Sequence, residues 1–178
     1  MKPQKITEQM FIEENDIDFG AVMCIDPGLG GTGIAFWQEL CKPMDATDPD
    51  HCMLASARED LLWLTRVKHI TDEVVAVIKT CKPDWVVIEF PELWASSEKS
   101  FTAAARGDLF KLTYLVGEIG REVWGITFRP PVLVTAGQWK AQMRKPVVHA
   151  RIKRALGLRY EEHIADAVGM GLSIMGAL

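Results

Sequence analysis

Apolar residues follow two rhythms along this chain: short, nearly continuous runs, and longer stretches stepped by three and four. Ala21-Val22-Met23-Cys24-Ile25 is a run of the first kind, and it stops at Asp26-Pro27-Gly28, so it reads as a strand. A glycine-rich turn over Gly28-Leu29-Gly30-Gly31-Thr32-Gly33 leads into Ile34-Ala35-Phe36-Trp37, which predicts a hairpin. Residues 38–50 read as a loop and Met53–Ala57 as a third strand. From Thr65 to Thr80 the apolar positions Val67, Ile70, Val74, Val77 and Ile78 have helical spacing, and Lys82-Pro83-Asp84 ends that helix. Trp85-Val86-Val87-Ile88 is then a short apolar run of the type expected for a buried central strand, ending at Glu89.

A long helix is expected from Ser97 to Trp124, with the stripe Leu109, Leu112, Val116, Ile119 and Val123 and with Gly125 as its cap. Ile126-Thr127-Phe128 and Val132-Leu133-Val134 flank Arg129-Pro130-Pro131 and read as one interrupted strand at a sheet edge, where proline is tolerated. Short helices over Gln138–Met143 and Val147–Leu156 and a last helix over Glu161–Met175 complete the chain. The pattern is an α/β plan: a five-stranded mixed sheet flanked by helices in a single domain, residues 19–178, behind a loose arm over residues 1–18.

The composition is that of a soluble globular protein, 48% hydrophobic and 25% charged over 178 residues. No apolar stretch approaches the roughly 20 residues needed to span a bilayer, and the acidic start does not read as a secretory signal. Cys24, Cys41, Cys52 and Cys81 form no CxxC pair, so a reducing, cytoplasmic setting is expected.

The net charge of −4 argues weakly against nucleic acid, but its distribution argues the other way. Twelve acidic and four basic residues precede position 61, whereas no acidic residue lies between Glu122 and Glu161. That stretch holds Arg129, Lys140, Arg144, Lys145, Arg151, Lys153, Arg154 and Arg159, a one-sided basic segment of the sort that meets phosphates. Lys140, Arg144, Lys145, Arg151 and Lys153 are its candidate phosphate contacts.

Asp26 and Glu89 each end an apolar strand, and a carboxylate there is costly unless it is paired or bound to a cation. If the two strands are neighbours, the carboxylates lie about 5 Å apart and repel, and a divalent ion with oxygen ligands resolves the repulsion. His163 and Asp166 are three residues apart on the last helix and so share a face.

Met23 to Gly33 resembles the opening motif of the RuvC-type Holliday junction resolvases. Val86-Val87-Ile88-Glu89 is similar to that family's second motif, and His163-Ile164-Ala165-Asp166-Ala167 to its terminal motif. The likeness spans Ala21 to Met175 and is greater to a phage-encoded branch of the family. It implies an RNase H-like fold, with Asp26, Glu89, His163 and Asp166 as the metal-binding catalytic set.

By resemblance the chemistry is hydrolysis of branched DNA by two Mg²⁺ ions, with Mn²⁺ as substitute, one ion activating water and the other steadying the leaving oxygen. Asp26 would bridge, and His163 would be a ligand or a proton carrier. The glycines of 28–33 would let backbone approach a phosphate. Two matched cuts imply a homodimer, for which the long helix is the candidate interface, with its stripe and with Ala103, Ala104, Ala105 and Gly107 near its start; packing of the stripe onto the sheet is the equal alternative, and one helix can do both. Family members carry an aromatic wedge three positions after the glutamate; Glu92 stands there, leaving Phe90, Trp94 or Phe101 as substitutes. Three alternatives stay open: an ATP-binding, actin-like protein; a non-catalytic relative; and a nuclease for RNA–DNA hybrids or forks.

Overall fold

A computed structural model of the chain describes residues 20–39, 49–92, 102, 104–141 and 143–178. The elements are β1 (Val22–Asp26), β2 (Thr32–Trp37), β3 (His51–Ala55), α1 (Trp63–Cys81), β4 (Trp85–Phe90), α2 (Asp108–Thr127), β5 (Val132–Thr135), α3 (Ala136–Lys140), α4 (Lys145–Leu156) and α5 (Glu162–Met175). The five strands form one sheet in the order β3-β2-β1-β4-β5. The front three pair antiparallel, and β1-β4 and β4-β5 pair parallel. The arm at residues 1–18, Cys41, Trp94, Phe101 and Ala103 lie outside the described residues.

Both faces of the central strands are buried, which is why β1 and β4 read as unbroken apolar runs rather than alternations. The alternation is present all the same and sorts residues between two cores. Met23 and Ile25 of β1, with Val86 and Ile88 of β4, pack under α1 and α2. Val22 and Cys24, with Val87, pack on the opposite face under α4 and α5. Asp26 and Glu89 inherit this parity.

Helix α5 is buried along almost its whole length. It lies on β1 and β2, and each large side chain it buries contributes about 1.5–3 kcal/mol. Glycine allows the approach. A Cβ on Gly33 would stand 2.1 Å from the His163 carbonyl oxygen, so only a residue without a side chain lets the first turn of α5 settle on β2.

Two expectations need correction. Residues 126–128 are not half of an interrupted strand: α2 runs through Gly125 to Thr127, and Phe128 closes it in the left-handed region with φ 57°. Tertiary packing overrides the β-branched sequence there. Ile126 lies against the α1–α2 core, and the Thr127 hydroxyl donates to the Val123 carbonyl at 2.9 Å. The α2 stripe is also not the outer face: Val116, Ile119 and Val123 are buried in the core that α2 shares with α1 and the sheet. No described helix is long and apolar enough to cross a membrane.

Candidate metal centre

The strand parity that sorts the core also aims the acids. Asp26 follows Cys24 by two residues and Glu89 follows Val87 by two, so both carboxylates emerge on the face covered by α5. Ile25 pairs with Ile88, which brings the next residues, Asp26 and Glu89, side by side at the carboxyl ends of β1 and β4. Helix α5 brings Asp166, 1% exposed, down onto them. One oxygen each of Asp26, Glu89 and Asp166 lie within 4.8 Å of one another. His163, one turn earlier on α5, places Nδ1 2.6 Å from Asp26 Oδ2. The four residues singled out as a catalytic set thus meet at one end of the sheet.

Neighbours missing from that set complete the site. Helix α3 begins where β5 ends, held by a reciprocal capping box between Thr135 and Gln138. It presents Trp139, whose Nε1 donates to Glu89 Oε2 at 2.7 Å, and Lys140, whose Nζ lies 2.9 Å from Asp166 Oδ2 and 3.6 Å from Glu89 Oε2. From α4, Lys145 Nζ reaches Asp166 Oδ2 at 3.3 Å and pairs closely with Glu162. His149 Nε2 stands 4.0 Å from Asp166 Oδ1. The Thr135-x-x-Gln138 signature after a strand was the sequence signal for α3; nothing in the sequence placed Trp139, Lys140 or His149 beside the acids.

The carboxylates crowd one another away from water, and their protonation shows it. Burial raises the Asp26 carboxyl, against the lowering effect of His163. Burial, reinforced by the charge of Asp26, pushes Glu89 up to about 7, with Lys140 and the Trp139 hydrogen bond acting against it. The hydrogen bond to Asp26 raises His163 above its ordinary value, outweighing burial. Partial burial opposes the charge on Lys145, yet its bond to Glu162 and the charge of Asp166 leave it raised.

The donor set fits a hard divalent cation. It consists of three carboxylates that converge within a cation's coordination diameter, and Asp166 Oδ1 is buried with no hydrogen-bond partner. A divalent ion would relieve both the repulsion and the orphaned oxygen.

The basic segment divides. Arg144, at the N-cap of α4, and Arg151 and Lys153 within it are exposed, and Lys153 lines a cavity of about 360 Å³ with His149 and Arg159. Lys145 is half exposed. Lys140 departs from its expected place on a phosphate-facing surface: it is 9% exposed and its ammonium lies among the carboxylates, because α3 turns it inward. Packing accounts for two glycines of the 28–33 turn. Gly28 makes room for the His163 ring and Gly33 for the backbone of α5. Phe90, a substitute for the wedge, is half buried against the α1–α2 core.

No protein-family model matches the sequence, and no curated protein matches it. Solved structures do. The chain superposes on Thermus thermophilus RuvC in complex with Holliday junction substrate with a TM-score of 0.63 at 18% identity, covering 86% of this chain and 91% of that one. A second structure of Thermus thermophilus RuvC gives the same score and identity, with 92% of it covered. The chain has the RuvC fold. The yeast mitochondrial Holliday junction resolvase Ydc2 matches more distantly, at a TM-score of 0.52 and 10% identity, over 92% of this chain and 81% of that one. The RuvC fold is an RNase H-like architecture, and the five-stranded mixed sheet found here is its scaffold. In this scaffold the carboxyl ends of β1 and β4 open beneath the first turns of α5, where the acids converge.

Proposed function

We propose that this chain is a divalent-metal-dependent endonuclease that cuts branched DNA, four-way junctions foremost. The observation that carries this reading is the convergence of Asp26, Glu89 and Asp166, from three distant segments, within 4.8 Å. The fold shared with junction resolvases supports it. Asp26, Glu89 and Asp166 would hold Mg²⁺, two ions by the family pattern, with Mn²⁺ as substitute. The metal would supply an activated water and charge stabilisation at the leaving oxygen. His163 orients Asp26 through Nδ1 and is placed to carry a proton at that carboxylate. Trp139 holds Glu89 in place through its indole N–H, while Arg144, Arg151, Lys153 and half-exposed Lys145 would meet the DNA backbone. The setting is cytoplasmic.

The test incubates a synthetic four-way junction, a fork and a linear duplex side by side with Mg²⁺, Mn²⁺ or chelator. Metal-dependent nicking of the junction ahead of the duplex is expected. Metal-dependent cutting confined to forks or hybrids would redirect the substrate, and binding without any cutting would overturn the enzyme.

Metal affinity should rise with pH. Ligation needs Glu89 deprotonated, and its carboxyl sits at about 7. The proton therefore competes below neutrality, and affinity should grow up to about tenfold per pH unit between roughly 5.5 and 7, then level off. Calorimetry in buffers of different ionisation heat should record proton release at pH 6 that disappears by pH 8.5; a flat profile would count against Glu89 as a ligand.

We also propose a homodimer, built on the face of α2 opposite its buried stripe. Phe110, Tyr114 and Trp124 are 75%, 46% and 60% exposed and share one side of the helix, and Phe128 continues it. Two copies meeting there would set two cutting sites in matched orientation. The double variant F110E/W124E should sediment as a monomer and nick junctions without paired cutting. A dimer that survives those charges lies elsewhere.

A further inference from the structure

The ammonium of Lys140 is where a divalent ion would act. It lies 2.9 Å from Asp166 and 3.6 Å from Glu89, in a cluster whose oxygens span no more than 4.8 Å. Its side chain is only 11% exposed, and the Trp139 ring packs against it at 4.4 Å. Carboxylates crowded this closely need positive charge nearby, and a lysine supplies it in the absence of metal. Its ammonium occupies the oxygens that an entering divalent ion would need, Asp166 Oδ2 and Glu89 Oε2, so the two cations compete for the same lone pairs.

Lys140 is the last residue of α3, and the next, Ala141, holds φ 52° and ψ −124°. This region is glycine territory, and a residue with a Cβ is strained there. Strain of that kind persists only where the surroundings hold it; here the ion pairs of Lys140 act together with the Ser173 hydroxyl on the Trp139 carbonyl and the Met143 N–H on the Lys140 carbonyl. Asp166 would not be left bare when Lys140 departs, since Lys145 stands 3.3 Å from the same oxygen.

We propose that Lys140 is a tethered counter-cation that keeps the metal-free site folded and must withdraw for the divalent ion to enter, releasing the strain at Ala141. This rests on the reading of the cluster as a metal centre. It makes metal loading an exchange of one cation for another rather than the filling of a gap.

The test uses the full chain without DNA. Ca²⁺ and Mn²⁺ are titrated by calorimetry into the wild type, Lys140→Met and Ala141→Gly. Lys140→Met removes the competitor and should bind metal at least tenfold more tightly, while melting at a lower temperature in chelator. Ala141→Gly relieves strain only in the metal-free arrangement and should bind metal severalfold more weakly. Opposite movements support the proposal, and any other pairing overturns it. Should Lys140→Met fail to fold, amine acylation of the wild type decides: the Lys140 peptide should label severalfold faster with Ca²⁺ than with chelator, and equal or slower labelling overturns the proposal. If no protein binds Ca²⁺ or Mn²⁺ at all, the metal-centre reading itself falls, an outcome distinct from equal binding by all three.

Discussion

Glu89→Gln should abolish junction cleavage, by a thousandfold or more, and yet make the metal-free protein more stable above neutral pH. The loss follows from the ligand set. A neutral amide oxygen is a poor partner for Mg²⁺, and a loss of about 4 kcal/mol in transition-state stabilisation is a factor of roughly a thousand. Asp26→Asn should behave alike in cleavage. Binding of the junction in Ca²⁺, measured by gel shift, should be unchanged, since neither acid faces the exposed basic residues of α4.

The gain in stability has a separate cause and a definite sign. The folded protein holds Glu89 at about 7, above its unfolded value, so it binds the proton more tightly folded than unfolded. Stability from this residue is therefore fully present at low pH and is lost as pH rises from about 5 to about 7, by up to roughly 3 kcal/mol. Glutamine is never ionised, and its carbonyl oxygen still accepts from Trp139. At pH 8 the variant should accordingly melt above the wild type in chelator, and at pH 5 the difference should vanish. Retained cleavage would remove Glu89 from the site. Equal melting at both pH values would show that its carboxylate is well solvated in the folded protein.

The same residue shows how much of the site could be read from the chain. Asp26 and Glu89 were legible because each closes an uninterrupted apolar run, and a charge at such a position demands a reason. Their alignment needed one further fact, that β1 and β4 are neighbours, which the β-β-β-α-β order makes natural. His163 and Asp166 were legible through helical spacing. Lys140 was misplaced because charge statistics along the sequence do not record which side of a five-residue helix faces inward; its burial depends on where α3 leaves β5. Residues 126–128 were misread for a related reason. The β-branched Ile126 and Thr127 express only a local preference, whereas Ile126 gains more from the core beneath α2. The α2 stripe was correctly located, but a stripe says only that one face is apolar; the opposite face carries Phe110, Tyr114 and Trp124 as well. What the sequence hides, in each case, is a contact between distant segments.

Gly33→Ala should damage the protein far more than a single methyl group suggests. The added Cβ would lie 2.1 Å from the His163 carbonyl oxygen and 2.6 Å from the Ile164 nitrogen. Both are backbone atoms at the start of α5, so no rotamer change relieves the clash, and the helix must lift from β2. Overpacking of this kind costs about 3 kcal/mol or more, and the melting temperature should drop by roughly 6–12 °C. The lift would also carry His163 and Asp166 away from Asp26, and a displacement near 1 Å costs about a hundredfold in rate. Gly171→Ala supplies a second position on the same helix, where the Cβ would fall 2.1 Å from the ring of the fully buried Trp37. Gly30→Ala is the control: it lies in the same glycine-rich turn, and nothing stands within 4 Å of its added carbon. If glycine is needed here for the close seating of α5, Gly33 and Gly171 should be intolerant and Gly30 permissive. Equal loss of activity in all three, without loss of stability, would point instead to a turn whose backbone approaches the substrate.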